Sequence, residues 1–169
     1  MKYTTFEIVI LGMLGAIACV CQVALSLLPN IEVVSILFIV YTKVFGKKAL
    51  FPIYVFVLLE GIFWGFGSWW IMYLYIWAVL WGITMLCRRN DSSITWAIIN
   101  GAYGLCFGAL CSITQGVMFG IGSGFAYFIS GIPFDIAHCI GNFFTALFLY
   151  KPLTILLSKV RKMLSLIHI

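Results

Sequence analysis

Asp135, His138, Asn142 and Thr145 stand at i, i+3, i+7 and i+10 within an apolar run. A helix there carries one polar stripe, with a carboxylate and an imidazole a turn apart. Two chemistries suit that pair: proton transfer between Asp135 and His138, or recognition of a polar ligand by both. A third reading is structural, in which Asp135 caps a helix begun by Pro133 while His138 and Asn142 bond to neighbouring helices. Glu32, Glu60 and Gln115 are further polar groups at the edges of apolar runs or inside them. Glu60 precedes Trp64 by one helical turn and leads into Phe66-Gly67-Ser68-Trp69-Trp70, and a carboxylate beside aromatic rings suits a planar, hydrogen-bonding or cationic small molecule. Trp70, Tyr73, Trp77 and Trp81 share a helix face, although Trp69 and Trp70 would also fit an interfacial aromatic belt.

The elements that must position these groups follow from composition. Of 169 residues, 64% are hydrophobic and 9% charged, too little polar surface to keep a soluble domain of this size dispersed. Apolar segments near 6–28, 32–46, 49–66, 70–87, 94–119 and 132–157 are separated by turn signals, among them Pro29-Asn30, Gly46-Lys47-Lys48 and the Gly-rich stretch from Gly120 to Gly131. A bilayer-spanning helix needs about 20 apolar residues, so the expectation is six spans and an all-α membrane bundle, a single domain over 1–163. The first run is too long for a signal-peptide core. The second is the shortest and contains Lys43.

Charge sets the expected orientation. Lys2, the cluster Lys43, Lys47 and Lys48, the pair Arg88 and Arg89, and the group Lys151, Lys159, Arg161 and Lys162 all fall on one side of a six-span arrangement. The positive-inside rule then places both termini in the cytoplasm. Glu32, Glu60, Gln115, Asp135 and His138 converge on the external half. The net charge of +5 is thereby assigned to orientation and not to nucleic acid.

The six cysteines show no paired CxxC spacing and are expected to pack as small hydrophobes. No cofactor or metal is expected. The chain has no GxxxxGK[ST] phosphate loop, GxSxG elbow or HExxH pair, so it is not by itself an ATP-driven pump, and no nucleophile or metal set completes an active site around His138. A small-residue stripe of Gly12, Ala16 and Cys19, with Gly15 adjacent, runs along the first segment, and Asn100, Gly104, Gly108, Cys111 and Gln115 share a face of the fifth. The last six residues, 164–169, are expected to be a non-native tail from sequencing-adapter read-through, and His168 is given no role.

Three stretches resemble the substrate-binding S components of energy-coupling factor (ECF) transporters: Leu28-Pro29-Asn30-Ile31-Glu32-Val33-Val34-Ser35, the run from Tyr54 through Glu60-Gly61 and Trp69-Trp70 to Tyr75, and Gly131-Ile132-Pro133-Phe134-Asp135-Ile136-Ala137-His138 through Gly141-Asn142 to Lys151-Pro152. The resemblance implies a non-enzymatic importer subunit in a bacterial cytoplasmic membrane, binding a vitamin or related heterocyclic micronutrient near the outer surface. Its partners would be a membrane T component and two cytoplasmic ATPases. The pocket would draw on Asn30, Glu32, Glu60, Trp64, Trp69, Trp70, Tyr73, Gln115, Asp135, His138 and Asn142. Gly12, Gly15, Ala16 and Cys19 would correspond to the family's small-residue docking patch. A stand-alone secondary transporter and a small membrane enzyme using Asp135 and His138 are the alternatives, although no repeat relates the two halves.

Overall fold

The computed structural model describes residues 3–27 and 31–166, and every regular element among them is helical: α1 (Thr5–Ala24), α2 (Val34–Phe45), a 3₁₀ turn (Gly46–Ala49), α3 (Leu50–Trp64), α4 (Ser68–Leu86), α5 (Ser93–Leu105), α6 (Phe107–Phe119) and α7 (Ile121–Leu166). Local chemistry accounts for several of the ends. Thr4 and Glu7 close a capping box over the start of α1, with Glu7 N donating to Thr4 Oγ1 at 3.3 Å and Thr4 N to Glu7 Oε2 at 3.1 Å. Ser92 accepts from Thr95 N at the start of α5. Gly120, at φ +94°, reverses the chain between α6 and α7 in a single residue, a backbone conformation that a side chain would oppose.

The second segment is a short interior helix. Ten of the twelve residues of α2 are buried, and it packs on α1, α4 and α7. At about 1.5 Å per residue it rises roughly 18 Å, less than the hydrocarbon thickness of a bilayer. Around it, α1 lies along α3, α3 along α4, α4 along α6, and α5 and α6 both along α7. The centre is aromatic: Trp77 meets Phe38 edge-on at 5.0 Å and Phe56 at 5.8 Å.

Each of the six apolar segments carries helix, while four stretches are long and apolar enough to cross a membrane: Thr5–Ala24, Ser68–Leu86, Ser93–Phe119 and Ile121–Leu166. The outward faces are apolar as well. Val20 on α1, Phe63 on α3, Ile98 on α5 and Phe148 on α7 are each more than half exposed. In water such a surface would aggregate; in hydrocarbon it is solvated.

Two boundaries differ from the sequence reading: the fifth segment, 94–119, is divided at Cys106 into α5 and α6, and the sixth begins earlier than read. The glycine-rich stretch 120–131 is helical from Ile121 onward, and Pro133 lies twelve residues inside a 46-residue helix instead of opening it. The cause is close packing: a Cβ on Gly124 would lie 2.8 Å from Gly116 Cα, so the glycines bring α6 and α7 together as a hairpin. The long helix carries on past Pro152 to Leu166, so 164–166 belong to α7 and Leu164 is buried; 167–169, with His168, lie outside the described residues.

Basic groups meet at one end of the bundle. Lys43 pairs with Asp91 at 2.7 Å, Arg88 Nε donates to Lys43 O at 3.1 Å, Arg161 Nη1 donates to Val44 O at 2.7 Å, and Lys48 pairs with Glu7. The N-terminal approach to α2 and the C-terminal turns of α3 lie at the other end.

Candidate functional site

At that other end, the last residues of α1, the approach to α2, the end of α3 and the first turns of α4 enclose a cavity of about 400 Å³. Its polar groups are Gln22, Ser26, Glu32, Glu60 and His138; Trp64, Trp69, Tyr73, Trp77 and Phe107 supply aromatic surface. The volume falls in the range of small-molecule pockets. Trp69 stands edge-on to Tyr73 at 5.4 Å, and Tyr73 to Trp77 at 5.5 Å, so the α4 face forms a continuous ladder of rings descending into the bundle. Trp64 is 62% exposed at the rim.

Glu60 is the central feature. It is 3% exposed, lines the cavity, and accepts a weak hydrogen bond from Cys19 Sγ at 3.5 Å; among the described residues it has no cationic partner. A buried carboxylate in an apolar bundle is costly without a partner. What faces it across the cavity is aromatic surface, whose ring faces attract positive charge.

Glu32 and His138 make the second polar feature. Glu32 Oε1 and His138 Nε2 are 3.3 Å apart, and Glu32 also accepts from the Ser35 backbone N–H at 2.8 Å and from the Ser35 hydroxyl. The carboxylate thus satisfies an amide in the first turn of α2, where the helix dipole favours negative charge. His138 is held from the other side by the edge-on ring of Phe107 at 5.0 Å and by Gly104, whose missing side chain lets α5 rest on the His138 backbone.

The α7 stripe faces inward as its spacing requires, with Asp135, His138 and Asn142 all buried. It does not act as one site. Asp135 Oδ1 accepts from Gly108 N at 3.0 Å, so its carboxylate caps the first turn of α6 and does not line the cavity; the structure hydrogen-bonds His138 to Glu32 and not to Asp135. Asn142 is fully buried, its carbonyl O accepting from Asn100 Nδ2 at 2.9 Å. Gln115 donates to Ser123 across the α6–α7 turn at 3.1 Å, and Trp70 donates to Val57 O at 2.8 Å while its ring packs on Phe66. All four stand outside the cavity lining: the Asp135, Gln115 and Trp70 side chains are each bonded to a neighbouring helix, whereas Asn142 is bonded through its backbone carbonyl and its side-chain amide has no hydrogen-bond partner among the described residues. Asn30 lies outside the described residues.

Seven lining residues were not singled out as ligands in the sequence: the polar or aromatic Gln22, Ser26, Trp77 and Phe107, and the aliphatic Val23, Leu25 and Ile31. Gln22 continues the Gly15 and Cys19 face at i, i+4, i+7, and Trp77 continues Tyr73 by one turn, so a signal existed for both. The small-residue patch on α1 divides. Gly15 faces α3, where a Cβ would lie 2.7 Å from Pro52 O, and Cys19 faces Glu60; Gly12 has open space beside it and Ala16 is exposed. The cysteines among the described residues are all free, and no group of three His, Cys, Asp or Glu among them could hold a metal ion.

The class defined by this fold and site is an all-helical chain with four stretches long enough to cross a membrane and a carboxylate-bearing aromatic cavity at the end away from its basic residues. Compared with protein-family models, curated proteins and solved structures, the chain matches none of them.

Proposed function

We propose that this chain is a membrane-embedded substrate-capture subunit, an S component of an ECF-type importer. In this reading it crosses the membrane six times, with both termini in the cytoplasm, and binds a vitamin or related heterocycle at the outer side. A T component and two ATPases would complete the importer, with the edge of α1 at the half-buried Gly12 and the exposed Ala16 available for docking. The observation that carries the proposal is Glu60, a buried carboxylate without a cationic partner among the described residues, set in the wall of an aromatic cavity. A ligand that is cationic or carries a ring N–H would supply the missing partner, and its ring would stack on Trp69, Tyr73 or Trp77.

The test is native mass spectrometry of the protein purified from its host. The wild type should carry a retained small molecule, and Glu60→Gln should reduce that retention at least about tenfold, the loss expected for one charged hydrogen bond of roughly 1.5–3 kcal/mol. Equal retention by the variant, or none by the wild type, would remove the cavity from consideration as the capture site.

The topology has its own readout. Reporters fused at the Arg88-Arg89 turn and after Leu166 should be active only in the cytoplasm, and one inserted at Ser68 only outside. Opposite location of the first two would reverse the orientation assigned from charge.

A further inference from the structure

A second concavity, of about 370 Å³, lies at the basic end between the first turns of α1 and the last turns of α7, over the junction of α2 and the 3₁₀ turn. Lys47, Lys48 and Arg161 line it with Glu7, Phe45 forms an apolar wall, and Leu164 and Ser165, from the stretch expected to be a non-native tail, complete its rim. We propose that this cleft binds a phosphate group, carried by an anionic phospholipid headgroup or free in solution. Three cations face one carboxylate there, and that carboxylate is engaged by Lys48 and by the Thr4 cap. The Lys47 side chain is exposed and makes no hydrogen bond or ion pair among the described residues. Arg161 commits Nη1 to Val44 O, and its planar guanidinium has further donors suited to two phosphate oxygens.

One feature of the fold would oppose an anion: α2 ends beside the cleft, and the carbonyls at a helix C-terminus carry partial negative charge. Three carbonyls at that end are already covered. Lys43 O accepts from Arg88 Nε, Val44 O from Arg161, and Gly46 O from Trp81 Nε1 at 3.3 Å. The potential in the cleft is therefore set by its side chains. An apolar wall flanking a basic floor, at the end of an apolar bundle, matches the junction of a phospholipid headgroup with its chains. This site is independent of the capture cavity at the other end.

The test uses the full chain in nanodiscs of phosphatidylcholine alone and of phosphatidylcholine with an equal part of phosphatidylglycerol. Lipid retained after release is read by native mass spectrometry, and a parallel arm titrates inorganic phosphate against chloride in the phosphatidylcholine discs, following thermal stability. Retention of phosphatidylglycerol over phosphatidylcholine should fall roughly fivefold in Lys47→Gln and roughly thirtyfold in Lys47→Gln/Arg161→Gln, from the usual contribution of a basic residue near an anionic interface. Lys159→Gln/Lys162→Gln, which removes the same charge outside the cleft, should change it less than about twofold if the effect is local. Lys47→Gln alters an exposed side chain without a partner among the described residues and keeps the test open should the Arg161 variant fold poorly. Selective retention of the lipid assigns the headgroup as the source; stabilisation by inorganic phosphate alone, lost in Lys47→Gln, assigns free phosphate. Equal losses in the cleft and control variants, or no preference for either anion by the wild type, would overturn the proposal.

Discussion

Gly104→Val is expected to lower the stability of the folded bundle by roughly 3 kcal/mol or more, a cost in the range of severe overpacking. A Cβ at this position would sit 2.9 Å from both the carbonyl carbon and oxygen of His138 and 3.1 Å from Asn142 Nδ2. Two of these three atoms are backbone, so no rotamer change relieves the clash and α5 must move away from α7. That movement would carry further consequences. Asn100 would lose its bond to Asn142 O, and Phe107, two residues past the end of α5, would lose its edge contact with His138. Gly82→Ala is the control, because a Cβ there meets nothing within 4 Å and helix propensity favours alanine by about 1 kcal/mol. Thermal unfolding in detergent, followed by loss of the monodisperse peak, should separate the two variants by many degrees. A Gly104→Val protein as stable as the wild type would show that α5 and α7 are farther apart than described.

The second large effect is expected at the pair joining α2 to α7. His138→Ala should cost about 2–3 kcal/mol, the penalty for leaving a largely buried carboxylate short of a hydrogen-bond partner. The cost arises on the carboxylate left behind: the Glu32 side chain is 13% exposed and, among the described residues, keeps only Ser35 as its donor. Glu32→Gln/His138→Ala should then be about as stable as the worse single variant, a coupling of roughly 2 kcal/mol. Unfolding measurements on the four proteins complete the cycle. Strict additivity would mean that the two side chains do not bond to each other and that α2 is held at the cavity end by its apolar packing alone.

Much of the architecture was legible without coordinates. Apolar runs free of alternation require helices, and the breaks read from the sequence lie close to observed helix ends up to Gly120; the division of the fifth segment at Cys106 into α5 and α6 was not read, and a larger exception lies beyond Gly120. The exception is instructive. The stretch 120–131 reads as a loop because it is rich in glycine, yet glycine has two uses in apolar bundles: it ends helices, as Gly120 does at φ +94°, and it lets helices touch, as Gly116 and Gly124 do. Composition cannot distinguish these uses. A proline inside α7 misleads in the same way, since a neighbouring helix can compensate for the backbone bond it removes.

By itself, the sequence determined that the chain is helical, that its outward faces are apolar, and that its basic residues lie apart from Glu32, Glu60 and His138, because helical period and the cost of burying charge act within each segment. Only tertiary structure decided which polar groups share a cavity. Asp135 and His138 stand one turn apart on the same face of α7, but the first turn of α6 claims one and the approach to α2 claims the other. A buried polar group bonds to whatever donor or acceptor packing brings within about 3 Å, and that partner belongs to another helix, beyond the reach of spacing along its own.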